Sequence, residues 1–331
     1  LNVLIIGAGA WGTTLTGLVD RAGHNAILYG RNQQVVTTLR HTRRHPVSLP
    51  NFVLPDAVAV TDDWAWACDT QPDVVVMAVS TAGVEMVADM LAEAELDSVI
   101  VSATKGIDPE TLLTASSRVG TRLERADRIS ALSGPNLAVE IAQGLPAASV
   151  VASTSIATAK RVQSALMSPT FRMYTSLDLL GVELAGALKN VIAIGAGIGD
   201  GLNAGNNARA AFLTRGVAEM TRLGVACGAN SMTFAGLAGI GDLMATCGST
   251  LSRNHTVGAR IARGERLDSI LGDMREVAEG VPTTRAAIAL AARHGVEMPI
   301  ATEIGHVLFD GFDPHEAIAR LMARDATSER S

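Results

Sequence analysis

Val3-Leu-Ile-Ile6-Gly7-Ala-Gly9-Ala-Trp11-Gly12 is the stretch on which the reading of this chain turns. Four consecutive apolar residues run into glycines spaced G-x-G-x-x-G, and a helical pattern opens at Thr13. Such a run suits a strand buried on both faces. Between that strand and a helix, Gly7 permits a tight turn, Gly9 lets the backbone approach a pyrophosphate, and Gly12 lets helix and strand pack closely. The helix start then offers N–H groups without intrahelical partners to the phosphates. In a chain with 32 glycines the pattern alone is weak. Its place between strand and helix makes it a dinucleotide site.

Outward from the glycines, further apolar runs recur at 26–29, 74–79, 99–102, 129–132, 149–152 and 171–174, with a helical stretch at 156–167. Alternation of this kind predicts a Rossmann-type, doubly wound α/β domain with a mostly parallel sheet. After residue 177 the pattern changes. Stretches 179–198, 207–223, 232–237, 256–263, 283–294 and 300–308 read as helices separated by glycine or proline, with no strand among them. The expected organisation is therefore a cofactor-binding domain over 1–177 and an all-α catalytic domain over 178–331. The polar tail 325–331 is expected to fray.

The second strand candidate ends Tyr29-Gly30-Arg31-Asn32. NAD-selective sites of this type place an acid there for the adenine ribose hydroxyls, and none is present. Arg31 would pair instead with a 2′-phosphate, so the cofactor reading is NADP(H), with NAD(H) also admitted.

Composition narrows the rest. The chain has 331 residues, 48% hydrophobic and 18% charged, with a net charge of −6. That balance argues against a nucleic-acid or anionic-membrane surface. The one basic cluster, Arg40-His-Thr-Arg43-Arg44-His45, precedes a proline-punctuated segment and reads as a solvated loop. Cys68, Cys227 and Cys247 form no CxxC pair, which fits a reducing cytoplasm, and no short His/Cys/carboxylate spacing suggests a metal. The first apolar run is a strand, not a signal peptide, and the uncharged stretches are too short and glycine-broken for a membrane span. The sequence begins at Leu1 and not at Met, so preceding residues are expected.

A carbonyl reduced by a nicotinamide needs a group that delivers a proton to oxygen as hydride reaches carbon. Tyr-x-x-x-Lys is absent, since Tyr29 and Tyr174 are followed at that spacing by Gln33 and Asp178. His-Gly-Asp is absent too, because His294-Gly295 leads into Val296. Lysine remains. The chain has only Lys105, Lys160 and Lys189 beside 24 arginines, and Lys189 lies inside the apolar run 183–197. Burial can bring a lysine from ~10.4 towards neutrality, where it exchanges protons with a substrate. Its neighbours on a helix, Ala185, Gly186, Ile192, Ala193 and Ala196, are mostly small and leave room beside the amine. The plainer reading is a stem crossing apolar surface with its head in water.

Several ordered motifs accompany that lysine: Thr104-Lys105-Gly106-Ile107, Ser133-Gly-Pro-Asn136, Ala187-Leu-Lys189-Asn190, Asn207-Ala-Arg-Ala-Ala, Gly236-Leu-Ala-Gly-Ile-Gly-Asp242 and Ser252-Arg253-Asn254. Over nearly its whole length the chain resembles the bacterial-type NAD(P)-dependent glycerol-3-phosphate dehydrogenases. The resemblance implies a homodimeric cytoplasmic enzyme that reduces dihydroxyacetone phosphate to sn-glycerol 3-phosphate, the phospholipid backbone. It implies Lys189 as the catalytic lysine, Lys105 as a second active-site lysine near substrate and nicotinamide, Asp242 as a carboxylate contacting both substrate and lysine, and Thr246 as their neighbour. Ser252, Arg253 and Asn254 match its glycerol-phosphate triplet, and Gly134 and Ala138 the loop beside substrate and cofactor. Trp11, Arg31, Val277 and Glu279 match cofactor contacts, as do Lys105 and Arg253.

The chemistry agrees with that placement. A guanidinium at Arg253 suits a phosphate dianion remote from the ketone, and an ammonium at Lys189 suits the ketone oxygen. Lys105 would lower the pKa of Lys189 and Asp242 would raise it. Plainer readings stand beside these. Lys105-Gly106 could be an ordinary loop, Asp242 a helix N-cap, Asn206-Asn207 turn residues, and Ser252 a cap as well as a phosphate ligand. The chain departs from the family where His255-Thr256 follows Asn254 and where Ser80-Thr81 follows Val79. The rival readings are a related β-hydroxyacid dehydrogenase, which usually has asparagine at the place of Ala193, and a protein that senses NADP(H) without turnover.

Overall fold

The computed structural model describes residues 1–325 apart from 50, 250 and 275, so the tail from 326 onward lies outside the described residues. Eight strands form one sheet: β1 (Asn2–Ile6), β2 (Asn25–Tyr29), β3 (Ala59–Thr61), β4 (Val74–Met77), β5 (Val99–Ser102), β6 (Ile129–Ser133), β7 (Ala147–Ser153) and β8 (Phe171–Ser176). Their order is β3-β2-β1-β4-β5-β6-β7-β8. The first six run parallel, β7 turns antiparallel to β6, and β8 lies parallel to β7. Val74–Met77 and Val99–Ser102 are buried throughout, and separate apolar clusters cover the two faces of the sheet. The sequence reading is thus met as a doubly wound, mostly parallel sheet followed by helices.

Two local differences have clear causes. β3 escaped the sequence reading because it is three residues long and pairs only with β2, too short for a periodic signal. β4 stops at Met77, two residues before the end of its apolar run, because Ala78 packs beneath the glycine loop. Ala78 O lies 2.4 Å from where a Cβ on Gly7 would stand.

The helical half is built on one helix, Leu179–Gly201, in which every residue from Gly181 to Ile198 is buried. By length and composition it could cross a membrane, but 89% of its apolar window is buried inside the protein. Helix Arg253–Ala262 packs against it backbone to backbone. A Cβ on Gly197 would stand 2.1 Å from His255 O, and one on Gly258 would stand 1.9 Å from Ile194 O. Gly186 likewise faces Ser133 Oγ, at 2.4 Å from its missing Cβ. Gly186, one of the small residues beside Lys189, therefore serves close packing against β6.

Asn206 and Asn207 are not turn residues: they open helix Asn206–Ala226 behind Gly205, which holds φ +87°. Helices Asp242–Gly248, Leu267–Asp273 and Pro314–Met322 were not anticipated. The basic cluster is more ordered than a solvated loop. Arg40 and His41 end helix Gln33–Thr42, Arg40 pairs with Asp62 at 2.6 Å, and Arg43 donates to Val58 O at 2.8 Å. His45 Nε2 lies 3.1 Å from Ala8 O, so this segment folds onto the glycine loop.

A buried carboxylate joins the halves. Glu183 accepts from Ser116 N at 2.8 Å and Thr114 Oγ1 at 2.7 Å, with Ser116 Oγ a further donor. It thereby caps helix Ala115–Leu123 from the other half of the molecule. Burial pushes its pKa up, against those three hydrogen bonds.

Candidate active site

The carboxyl ends of β1, β4, β5 and β6 converge on one edge of the sheet, where the strand order reverses about β1. The glycine loop follows β1, Thr81 follows β4, Lys105 follows β5 and Gly134 follows β6. Helix Leu179–Gly201 and helix Asp242–Gly248 meet this edge and bring the remaining groups.

Asp242 is the hinge of the cluster. Its Oδ2 takes Lys105 Nζ at 2.6 Å, and its Oδ1 lies 3.1 Å from Lys189 Nζ. Lys189 Nζ also donates to Thr246 Oγ1 at 2.6 Å, and that hydroxyl passes its own hydrogen to Asp242 Oδ1 at 3.2 Å. Thr246 reaches both because it stands one helical turn beyond Asp242. The N-cap reading of Asp242 is excluded: Gly241 occupies the cap position, and the aspartate side chain points at the lysines. Lys105 also donates to Gly134 O at 2.8 Å. Gly134 holds φ +144° with the place of its Cβ 3.0 Å from Ser149, so only glycine suits that turn.

Two ammonium groups against one carboxylate leave the pocket with a net positive charge, suited to an oxygen that gains negative charge. Lys189 is 6% exposed and so is no snorkelling side chain. Burial lowers its pKa to about 8; Asp242 opposes the shift and Lys105 adds to it. Cys247, next to Thr246 in sequence, is pushed by burial up to about 12 and stays a thiol.

Sequence reasoning missed Asn190, although a polar residue in so apolar a helix was a signal. Asn190 Nδ2 donates to Lys105 O at 3.1 Å, and its Oδ1 accepts from Asn254 Nδ2 at 2.8 Å. Asn254 Oδ1 in turn accepts from Gly280 N at 2.9 Å. This chain of amides fixes the Lys105 loop against three helices.

Ser252 caps helix Arg253–Ala262 by accepting from His255 N at 3.2 Å. His255 turns away to Asp200, with Nε2 2.8 Å from Oδ2. Arg253 is half-exposed; its Nη1 donates to Val277 O at 2.9 Å and lies 3.1 Å from Glu276 Oε2. Glu279 accepts from Thr81 N at 2.9 Å and from Thr81 Oγ1 at 2.7 Å, which ties the helical half to the loop after β4. Val277 is exposed between these anchors.

The cofactor residues divide by what each glycine meets. Gly7 holds φ +117°, and a Cβ on Gly12 would stand 1.9 Å from Gly7 O, so both are required by the fold. Gly9 has φ −81° and nothing within 4 Å of its missing Cβ. Its side is open, as close approach of a pyrophosphate demands. Helix Ala10–Arg21 begins at Ala10, three residues earlier than expected, and has no side-chain cap, which leaves its first N–H groups for phosphate oxygens. Trp11 is half-buried against the sheet core, and Ala138 starts a short helix whose first carbonyl accepts from Thr14 Oγ1 at 3.2 Å. Arg31 is exposed just past β2, with Nη1 2.9 Å from Met86 Sδ, and Asn32 is occupied as an N-cap. The open side of Gly9 and the uncapped helix start fit a dinucleotide pyrophosphate. A cavity of about 1460 Å³ lies elsewhere, among helices Asn206–Ala226, Pro299–Phe309 and Pro314–Met322, and is lined by none of these cofactor residues.

A doubly wound sheet with a phosphate-ready glycine loop, facing a buried lysine held by a carboxylate and a hydroxyl, defines a nicotinamide-dependent dehydrogenase. Residues 2–159 match the family described as the N-terminus of NAD-dependent glycerol-3-phosphate dehydrogenase, and residues 178–319 match the C-terminus of the same family. The chain belongs to that family. It is 45% identical over 330 residues to a glycerol-3-phosphate dehydrogenase [NAD(P)+] of Geobacter sp. (strain M21), covering 99% of this chain and 98% of that one. A Syntrophotalea carbinolica enzyme of the same name is 44% identical over 331 residues, covering 99% of each chain. The crystal structure of a glycerol-3-phosphate dehydrogenase from Coxiella burnetii superposes with a TM-score of 0.93 at 32% identity, covering 98% of this chain and 99% of that one.

Proposed function

We propose that this protein reduces dihydroxyacetone phosphate to sn-glycerol 3-phosphate, reversibly, with NADPH or NADH. The observation that carries the reading is the cluster of Lys189, Thr246, Asp242 and Lys105, because it places a buried proton donor of near-neutral pKa in a positive pocket. A nicotinamide dinucleotide held at the Gly7–Gly12 loop would supply the hydride for the ketone carbon. Lys189, as ammonium, polarises the ketone oxygen and delivers a proton to it as the alkoxide forms; in the reverse direction the neutral amine takes the alcohol proton. Thr246 and Asp242 keep the amine oriented, and Lys105 adds charge stabilisation on the same side. In this reading Ser252, Arg253 and Asn254 form the substrate-phosphate site, with the guanidinium of Arg253 as its charged group, and binding there aligns the carbonyl carbon. Gly7, Gly9, Trp11, Gly12, Arg31, Ala138, Val277 and Glu279 form the cofactor side of this reading, to which Lys105 and Arg253 also contribute.

The division at 177/178 into a cofactor-binding and a catalytic unit belongs to this reading. So do a homodimer, a cytoplasmic location and a role in supplying the phospholipid backbone; the unpaired cysteines support a reducing compartment. Loss of NADPH absorbance on adding dihydroxyacetone phosphate tests the activity. Turnover of a β-keto acid in its place would favour the β-hydroxyacid rival, and NADPH binding without turnover of either would favour a sensor.

A further inference from the structure

We infer that Glu276 is an internal anion that holds Arg253 until a phosphate dianion displaces it, and so sets how strongly the site favours phosphorylated over uncharged ketones. The inference rests on the phosphate-binding reading of Arg253. The two carboxylate oxygens of Glu276 serve different halves of the molecule. Oε2 lies 3.1 Å from Arg253 Nη1, while Oε1 accepts from Ser48 Oγ at 2.9 Å. Ser48 belongs to the segment that covers the glycine loop: its amide donates to His45 Nδ1 at 3.0 Å, and His45 Nε2 lies 3.1 Å from Ala8 O. Three residues on, Glu279 is fixed to Thr81 on the opposite flank. Segment 276–279 is thus held to the sheet half at both ends, with Glu276 set against the arginine that would receive the substrate phosphate.

The electrostatics give the pairing its consequence. The side chains of Arg253 and Glu276 are 50% and 38% exposed. A pair so open to water is weak, whereas a phosphate dianion offers twice the charge and a bidentate match to the guanidinium. A dianion therefore displaces the carboxylate, and an uncharged three-carbon ketone does not. Once displaced, Glu276 remains close to the dianion and weakens its binding by like-charge repulsion.

Inorganic phosphate, as a competitive inhibitor against dihydroxyacetone phosphate, reads this directly. Glu276→Gln removes the charge at nearly constant volume, so inhibition should strengthen about threefold or more, and KM for the ketone phosphate should fall in parallel without a matching change in kcat. Glu276→Asp, which keeps the charge, should inhibit closer to wild type, and the gain should vanish when Arg253→Ala is combined with Glu276→Gln. Unchanged or weaker phosphate inhibition in Glu276→Gln, with Arg253→Ala still losing phosphate affinity, overturns the role of Glu276 alone. If Arg253→Ala leaves phosphate inhibition untouched, the phosphate reading of Arg253 itself fails.

Discussion

In the proposed mechanism Lys189 carries the chemistry, and its behaviour follows from what surrounds its amine. Lys189→Ala should lower kcat by at least about 10²-fold, the scale of a lost general acid, and near-wild-type turnover would remove it from the mechanism. The pH dependence has a definite sign. Reduction needs the ammonium form, and burial brings the pKa down to about 8, so kcat for reduction should be level below that pH and fall above it. Alcohol oxidation needs the neutral amine and should rise through the same pH. Asp242→Asn removes the charge that raises the Lys189 pKa and leaves Lys105 pressing against it, so the midpoint should move to lower pH, measured by kcat across a pH series. An unmoved midpoint would mean that another group titrates. At this scale a lysine as the proton donor was the reading the sequence offered, because the tyrosine and histidine donors of other dehydrogenases were missing from it. Its pKa was not legible there, since that depends on how deeply the fold buries the amine and on the 3.1 Å approach of a residue 53 positions away.

At the scale of the element, the glycine loop separates two reasons for being glycine. Gly9→Ala meets no protein atom and keeps an ordinary φ, so the thermal midpoint should stay near wild type while NADPH affinity falls. Gly7→Ala forces a Cβ into Ala78 O at positive φ and should cost about 2 kcal/mol or more of stability, read by denaturant unfolding. Equal stability losses in both variants would contradict the division. The strands of this loop and its neighbours were legible because a strand buried on both faces must be apolar throughout. β3 and helix Asp242–Gly248 were not, because three residues at an edge, or seven after a run of glycines, carry no period. The glycines of helix Leu179–Gly201 were legible as residues but not in their purpose. A glycine in sequence marks room for something, and only the packing reveals that at Gly197 the occupant is the backbone of helix Arg253–Ala262.

Across the whole molecule, buried carboxylates lock helix starts from a distance, and one of them gives stability a pH dependence. Glu219 accepts from Ile300 N at 2.7 Å and Ala301 N at 3.2 Å at the start of helix Pro299–Phe309, and burial raises its pKa from 4.5 to about 7. The native state therefore keeps a proton there that the unfolded chain releases. Its contribution to stability is fully present below pH 4.5 and is lost as pH rises through about 7. Thermal midpoints across that window should decline less in Glu219→Gln than in wild type, and parallel declines would discount the group. The sequence by itself determined the layered α/β fold, the dinucleotide loop, the helical second half and the residue types of the site. Those follow from local patterns: apolar runs, glycine spacing and the donors the chain lacks. Only the tertiary structure decided that Asp242 bridges both lysines, that Asn190 ties the Lys105 loop to the helices, and that Arg253 is held by Glu276. Each of these joins residues between 23 and 137 positions apart, and pairings over such distances depend on how strands and helices pack and not on any periodicity along the chain.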